Sequence, residues 1–312
     1  SIDSGGARLW DLETGQLLHR LMHVNTTSYE IDFSSDSRYV LTGGLDTAVK
    51  MWDVETGKEL RRFTHAQIPW GVEFSKDGRF VLTTSWDRAA RLWSLQGDDG
   101  LLRFESVEAP ANGALSHDGS RLALTSVDNS IRLIDTATGQ ELGRLTGHLG
   151  PLWDLAFSPR DDVLATISSA DGSTRLWDLN IGRAVWADPT FGGQSLAFSP
   201  DGRTLYAIGS TVQIYDVATG QMLRDIEYSE NFIYGALSPD GSLLATSLGT
   251  REDILLWNLA TDSVVRILHP DVGGVHRALI FSPDGRLLAT GGDAGIIYLW
   301  NVATGTVVRR FV

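Results

Sequence analysis

The sequence predicts an all-β fold built from one four-stranded unit written eight times, with the first copy incomplete. Two recurring phrases and their spacing carry this. The first phrase reads RLWDLETGQLL from Arg8, KMWDVETGKEL from Lys50, RLIDTATGQEL from Arg132, RLWDLNIGRAV from Arg175, QIYDVATGQML from Gln213, LLWNLATDSVV from Leu255 and YLWNVATGTVV from Tyr298, with a weaker copy, RLWSLQGDDGLL, from Arg91. Its anchor falls at Trp10, Trp52, Trp93, Ile134, Trp177, Tyr215, Trp257 and Trp300, so successive anchors lie 38 to 43 residues apart. The second phrase lies between: FSSDSR at Phe33, FSKDGR at Phe74, LSHDGS at Leu115, FSPRDD at Phe157, FSPDGR at Phe198, LSPDGS at Leu237 and FSPDGR at Phe281. A fixed period of this length is the mark of a repeat architecture.

Each unit reads as four short strands. In the last unit they are 276–281, 287–291, 296–300 and 306–311. The SPDG phrase makes the turn after the first strand, Pro presetting φ and Gly supplying a positive φ. Alternating and β-branched residues follow, then the anchor strand, then an ATG or ETG turn and a fourth strand. No stretch shows sustained helical periodicity, and no linker or low-complexity tract breaks the pattern. One domain is expected over 1–312, with a partial unit at 1–22 and seven complete units over 23–312. The leading tail supplies third and fourth strands only.

Composition narrows the chemistry. There is no cysteine, which excludes disulfides, thiolate metal sites and a cysteine nucleophile, and fits a reducing, cytoplasmic setting. The net charge of −13 argues against a sequence-independent grip on nucleic acid. No apolar run reaches the about 18 residues that a membrane helix needs. The seven histidines are scattered, with no His-Glu-x-x-His. His269, Asp271 and His276 lie close in sequence, in a segment read as solvated loop. Neither a phosphate-cradling Gly-x-x-x-x-Gly-Lys nor a Gly-x-Ser-x-Gly elbow occurs. No cofactor or metal is expected. Much of the acidity is repeat grammar: Asp11, Asp53, Asp135, Asp178 and Asp216 belong to the tails, and Asp77, Asp118, Asp201, Asp240 and Asp284 to turns.

The period, the Trp-Asp pairs and the SPDG turns resemble the WD-repeat β-propeller family over essentially the whole chain. The resemblance implies a propeller of seven complete blades plus an N-terminal half blade, in a ring of seven or eight positions. Since each of the seven units already has four strands, either the chain is cut from a longer protein or an eighth position is half built. The Ser1 start favours the longer protein. The Ala-Thr-Gly and Ser-Pro-Asp-Gly wording is similar to bacterial members, which often sit behind kinase or nucleotide-binding domains.

The family's blades carry a hydrogen-bonded set of His, Ser/Thr, Asp and Trp. The resemblance places it at His65, Thr83, Asp87 and Trp93, at His23, Thr42, Asp46 and Trp52, and at His148, Thr166, Asp171 and Trp177. A trio that recurs in several units is structural, because a nucleophile would be unique; buried polar groups need such partners. The third unit has Leu124 and Ile134 in the Thr and Trp positions. The fifth and sixth lack the His, with Asp253 out of phase; in the seventh, Asp293 and His269 are displaced.

In a propeller, the start of each innermost strand lies near the channel mouth. The position four residues before the second phrase varies most: Tyr29, Trp70, Ala111, Trp153, Gln194, Ile233 and Arg277. Trp86, beside Asp87, belongs to the same surface. Tyr29, Trp70, Trp86 and Trp153, extended by Phe232, Tyr234 and Arg277, have the composition of a protein-binding hot spot. Arg20, Arg61, Arg62, Arg103, Arg144, Arg183, Arg224, Arg266, Arg309 and Arg310 mark the fourth strands, where charge guards exposed edges; Trp186 there is expected to pack at the rim. The function expected is a non-catalytic interaction module for a protein or peptide, without nucleic acid or membrane. The alternative is a propeller hydrolase or lyase with its site at the channel mouth. Because the fifth and sixth units lack the full polar set, their amides are expected to exchange hydrogen faster than those of the second and fourth. Uniform protection across the units in a hydrogen-exchange experiment would contradict this.

Overall fold

The computed structural model describes residues 2–3, 6–23, 28–96, 101–105, 112–126, 128–160, 162–168, 170–189, 193–228, 232–249, 252–272, 274–292 and 296–311. Every regular element among them is a β-strand. Seven four-stranded antiparallel meanders follow one leading sheet.

The first sheet comprises Ser28–Phe33, Tyr39–Gly44, Ala48–Asp53 and Glu59–Thr64; the second Pro69–Phe74, Phe80–Ser85, Ala89–Ser94 and Leu101–Glu105. The third comprises Gly113–Leu115, Arg121–Thr125, Ile131–Asp135 and Glu141–Leu145; the fourth Asp154–Phe157, Val163–Ser168, Ser173–Asp178 and Arg183–Asp188. Ser195–Phe198, Thr204–Ile208, Val212–Asp216 and Met222–Ile226 form the fifth. Phe232–Leu237, Leu243–Leu248, Ile254–Asn258 and Ser263–Leu268 form the sixth, and His276–Phe281, Leu287–Gly292, Ile297–Asn301 and Val307–Phe311 the seventh. These are the blades of a β-propeller.

The leading sheet corrects the expectation of two strands. It has three, because Ile2–Asp3 pairs with Gly6–Trp10 ahead of Leu17–Leu21. A two-residue strand is too short to show alternation in sequence.

Contacts divide the chain into two compact units: Ser1–Leu164 with Trp177–Ala184, and Ala165–Leu176 with Val185–Val312. Within each, the core lies between consecutive sheets. In the first unit Leu82 and Leu92 of the second sheet pack with Leu122, Leu124 and Ile134 of the third. In the second unit Ala245, Ile254 and Leu256 of the sixth sheet pack with Leu288, Tyr298 and Trp300 of the seventh.

The turns explain the phrases. Ser75 Oγ donates to Asp77 Oδ1 at 2.6 Å, Asp77 Oδ1 accepts from the Arg79 N–H, and Gly78 supplies φ +70. In the tail, Asp53 Oδ1 accepts from both the N–H and the hydroxyl of Thr56 at 2.7 Å. Asp11, Asp135 and Asp216 bind Thr14, Thr138 and Thr219 in the same way. Thr56's hydrogen bonds hold the Asp53 carboxyl below its usual range. The Trp-Asp aspartate is thus a turn lock, and its charge belongs to the fold.

The joints between sheets share a second device. At six joints the side chain nine residues after the anchor reaches the third-to-fourth-strand turn of the next sheet. His19 Nε2 bonds the Glu55 carbonyl at 2.9 Å. Arg61 donates to the Ser94 carbonyl at 2.6 Å, Arg224 to that of Leu259 at 2.6 Å, and Arg266 to that of Val302 at 3.2 Å. The Trp186 ring packs 4.2 Å from that of Tyr215. The turn glycine is required twice here. It takes a positive φ, and a Cβ on Gly57, Gly139, Gly220 or Gly305 would press into His19, Leu102, Trp186 or Arg266 respectively. Three of the fourth-strand arginines are therefore pegs between sheets, beyond their value as edge charges.

The centre of the first sheet carries the buried polar load. Thr42 Oγ1 accepts from Trp52 Nε1 and bonds His23 Nε2, both at 2.8 Å, and Thr42 is fully buried. Thr42→Val strands two buried polar groups and is expected to cost about 2 kcal/mol or more, whereas Thr56→Val in the exposed turn costs about 1 kcal/mol or less. Urea unfolding midpoints at constant m-value check the ranking.

Candidate functional site

The first unit opens a cavity of about 280 Å³ whose lining includes Glu30, Trp70, Glu73, Asn112, Trp153 and Asp154. Its walls are the first strands of consecutive sheets. Trp70, Trp86 and Trp153 are 45%, 40% and 57% exposed. Trp70 and Trp86 meet edge to face, centroids 5.7 Å apart, an arrangement aromatic pairs favour.

Backbone irregularity puts Trp70 there. Pro69 pairs with Ser85 and Gly71 with Thr84, so Trp70 is the extra residue of a bulge. Bulges re-aim side chains. Tyr29 and Arg277 occupy the same kind of bulge, between Ser28 and Glu30 and between His276 and Ala278; their side chains lie outside the described residues. This is why the position four before the phrase tolerates such different residues: the ladder does not use it.

Phe232 is a correction. It is 1% exposed and packs against Tyr228 and Trp257, with centroids 6.1 and 5.8 Å away, so it is core of the sixth sheet. Tyr234, two residues on, is half-buried.

The carboxylates are what sequence reasoning missed. Asp32 and Glu73 each precede the phrase's aromatic and reach the next sheet: Asp32 Oδ2 accepts from the Phe74 N–H at 2.7 Å, and Glu73 Oε2 from the Leu115 N–H at 3.2 Å. They satisfy backbone donors on the inner edge. Asp154 Oδ1 accepts from the Leu155 N–H at 2.8 Å. Glu30 keeps an open side to solvent, yet the protein packed around it, with the Asp32 charge, raises its carboxyl to about 7. Burial raises that of Glu73 to about 7 as well, Asp32 adding to the effect. The signal was available, since Asp32 and Glu73 stand where later sheets carry Ala156, Ala197 and Ala236.

The polar sets differ in detail. In the first sheet His23 Nδ1 meets Asp46 Oδ1 at 2.6 Å; burial holds the ring's pKa below its usual value, so the neutral ring donates from Nδ1. In the second, Arg91 takes the central place. It donates to His65 Nδ1 and, at 2.8 Å, to Asp87 Oδ2, while His65 Nε2 bonds Thr83 and Trp93 Nε1 donates to Thr83, both at 2.8 Å. An arginine only donates, so His65 carries its proton on Nε2. Burial pushes the Asp87 carboxyl up, but hydrogen bonds from Arg91 and the Ala66 N–H outweigh it and hold it at about 2. The His148 and Trp177 rings lie 6.0 Å apart. Asp171 Oδ1 accepts from Ser173 at 2.7 Å, and Thr166 is fully buried. In the sixth and seventh sheets the Trp–Thr bond persists without the His, Trp257 to Thr246 and Trp300 to Thr290 at 2.9 Å. The displaced His269 pairs instead with Asp253 at 2.7 Å, and Asp271 with Tyr298 and Arg310. Among the described residues no group of three or more His, Asp or Glu is arranged to hold a metal ion.

Ionising Glu73 costs folding free energy. Its folded pKa lies above the unfolded value, so the folded state holds the extra proton between about pH 4.5 and 7. Stability falls as pH rises through that window and stays lower above it. Glu73→Gln, which keeps an acceptor for Leu115, is expected to raise stability by on the order of 2 kcal/mol at pH 8 and to leave it unchanged at pH 4. Thermal unfolding at the two pH values checks the sign.

Comparison with known proteins agrees with this architecture. The WD40 family model (WD domain, G-beta repeat) matches residues 15–53, 57–94, 139–178 and 263–301, together half of the chain. The chain is similar to eukaryotic translation initiation factor 3 subunit I of Aspergillus terreus, 37% identical over 125 residues, covering 39% of this chain and 35% of that protein. WD repeat-containing protein SL1-17 of Schistosoma mansoni is 38% identical over 156 residues, 47% of this chain and 49% of that one. Pre-mRNA-processing factor 19 of Oryza sativa subsp. japonica is 30% identical over 182 residues, 54% and 33%. The chain thus spans about a third to a half of these relatives' length. All three are eukaryotic, and they give the expected likeness to bacterial members no support. The four in-phase family matches, falling on sheets whose turns and anchors the structure explains, place the chain in the WD-repeat family.

Proposed function

We propose that the chain is a non-catalytic protein-interaction module that takes a basic side chain of a partner peptide at the pocket beside Trp70 and Trp153. The observation that carries this is the pairing of three exposed tryptophans with a pocket whose charged lining residues, Glu30, Glu73 and Asp154, are all acidic. An ammonium or guanidinium there meets aromatic faces and carboxylates together, the combination that binds cations. The rigid sheets hold these groups before the partner arrives, which limits the entropy lost on binding. The relatives support an assembly role by name, one being a subunit of an initiation factor. In this reading the module works in the cytoplasm as part of a larger protein, and the absence of cysteine is consistent with that setting.

A synthetic Lys/Arg-rich peptide titrated calorimetrically tests the reading. The Trp70→Ala, Trp86→Ala, Trp153→Ala variant, shown to be folded, is expected to bind at least tenfold more weakly. Affinity is expected to rise from pH 6 to pH 8, because Glu30 and Glu73, titrating at about 7, ionise in that interval and a cation prefers them charged. Glu30→Gln with Glu73→Gln flattens this dependence. Equal binding by the parent and the triple variant overturns the surface. No binding by either, together with turnover of small ester or glycoside substrates, favours the hydrolase alternative.

A further inference from the structure

The pegs between sheets fail at one joint. Nine residues after the first seven anchors, each of which has a sheet following it, stand His19, Arg61, Leu102, Gly143, Trp186, Arg224 and Arg266. Six of them engage the following sheet; Gly143, on the outer strand Glu141–Leu145, has no side chain with which to do so. A Cβ on Gly143 would meet nothing within 4 Å, nor would one on Gly182, the φ +66 turn glycine that a peg from the third sheet would cover. At the corresponding glycines, Gly57, Gly139, Gly220 and Gly305, the peg lies within 3.2 Å of that position. The missing side chain leaves a cavity of about 380 Å³, lined by Arg121, Leu142, Gly143, Arg144, Ile181 and Gly182 among others. Leu142 and Ile181 lie 57% and 62% exposed at its mouth.

We propose that this notch is a second docking site, which takes one tryptophan side chain from an extended acidic segment of a partner protein. The fold itself shows the fit. In the joint after the fourth sheet, the peg is Trp186, its ring against Tyr215 and its Cβ and Cγ over Gly220. A partner's indole entering beside Gly143 would occupy the same place from outside. The pegs come from extended strands, so the segment carrying the indole lies extended along the open edge of Glu141–Leu145. Charge selects its neighbours. The charged lining residues, Arg121 and Arg144, are both basic in a chain of net charge −13. Arg144 pairs with Glu141 and Asp128 while 43% exposed, so a carboxylate on the partner adds to a network already at the surface. A guanidinium's N–H groups donate to more than one carboxylate at once.

The probe is the acetylated pentapeptide Asp-Asp-Trp-Glu-Asp, with its Trp-to-Ala counterpart as control, followed by amide chemical-shift mapping on the full chain. Saturable shifts are expected at Leu142, Gly143, Ile181 and Gly182 with the tryptophan peptide alone. Gly143→Trp supplies the missing peg internally; it is expected to raise the Tm and to weaken peptide binding at least tenfold. Ile181→Glu, at an exposed position, tests the same point by repulsion should Gly143→Trp fail to fold. Trp70→Ala, Trp86→Ala, Trp153→Ala retains full binding, which separates this site from the tryptophan-rimmed pocket. Shifts centred elsewhere, equal binding of the alanine peptide, or binding that survives the socket variants overturns the proposal.

Discussion

A tryptophan buried inside a sheet carries one N–H that water cannot reach, and the repeat is organised around its acceptor. Thr42, Thr83, Thr246 and Thr290 each accept from the indole ten or eleven residues further on, at 2.8 to 2.9 Å. That bond ties the second strand to the third at the middle of the sheet. A threonine in this place is itself buried, so its remaining capacity must also be used, and the histidines of the first two sheets use it. Each histidine then has a second ring nitrogen to satisfy, which calls in Asp46 or Arg91. The polar set is thus a chain of obligations started by one indole. Where Tyr215 replaces the indole, the obligation moves to the phenol, which donates to Asp188 at 2.9 Å instead.

The same logic governs the joints. A third-to-fourth-strand turn ends with carbonyls and a left-handed glycine exposed toward the previous sheet. The peg nine residues past the anchor covers them by whatever chemistry it has. Arginine and histidine bond the carbonyls, while tryptophan and leucine cover the glycine. The sixth sheet makes the dependence plain: its turn has Asp262, at φ +51, where other turns have glycine, and its peg is Arg224, which pairs with Asp262. At that joint peg and turn residue meet directly.

How much of this was legible in sequence follows from how local each signal is. The strands and turns were legible, because SPDG and Trp-Asp-x-x-Thr-Gly each close their own hydrogen bonds within a few residues. The exposure of Trp70, Trp86 and Trp153 was legible because no strand ladder or core face claims those positions. Phe232 was misread because it sits near Tyr234 in sequence, while burial depends on Tyr228 and Trp257, which only the fold brings together. Glu30 and Glu73 were passed over for a related reason. The crowding that raises their carboxyls exists only in the folded chain, and Glu73's role as an acceptor depends on the neighbouring sheet 42 residues away, at Leu115. The Gly143 notch was invisible because its meaning lies in the six other peg positions and in what each touches.

A repeat whose every copy satisfied the same rules would be inert, with each carbonyl capped and each joint filled. Departures from the rules mark where this chain has chemistry to spare. The bulge that carries Trp70 recurs in other sheets, and here it holds a large exposed ring. The acid at Glu73 bears a burial penalty that Ala156, Ala197 and Ala236 avoid at the equivalent positions of later sheets. Gly143 gives up a contact that six counterparts make. All of these positions lie in the first unit. On the two proposals above, the acidic pocket rimmed by tryptophans and the socket beside Gly143 are lined by different residues, so their partners would not compete for the same ground.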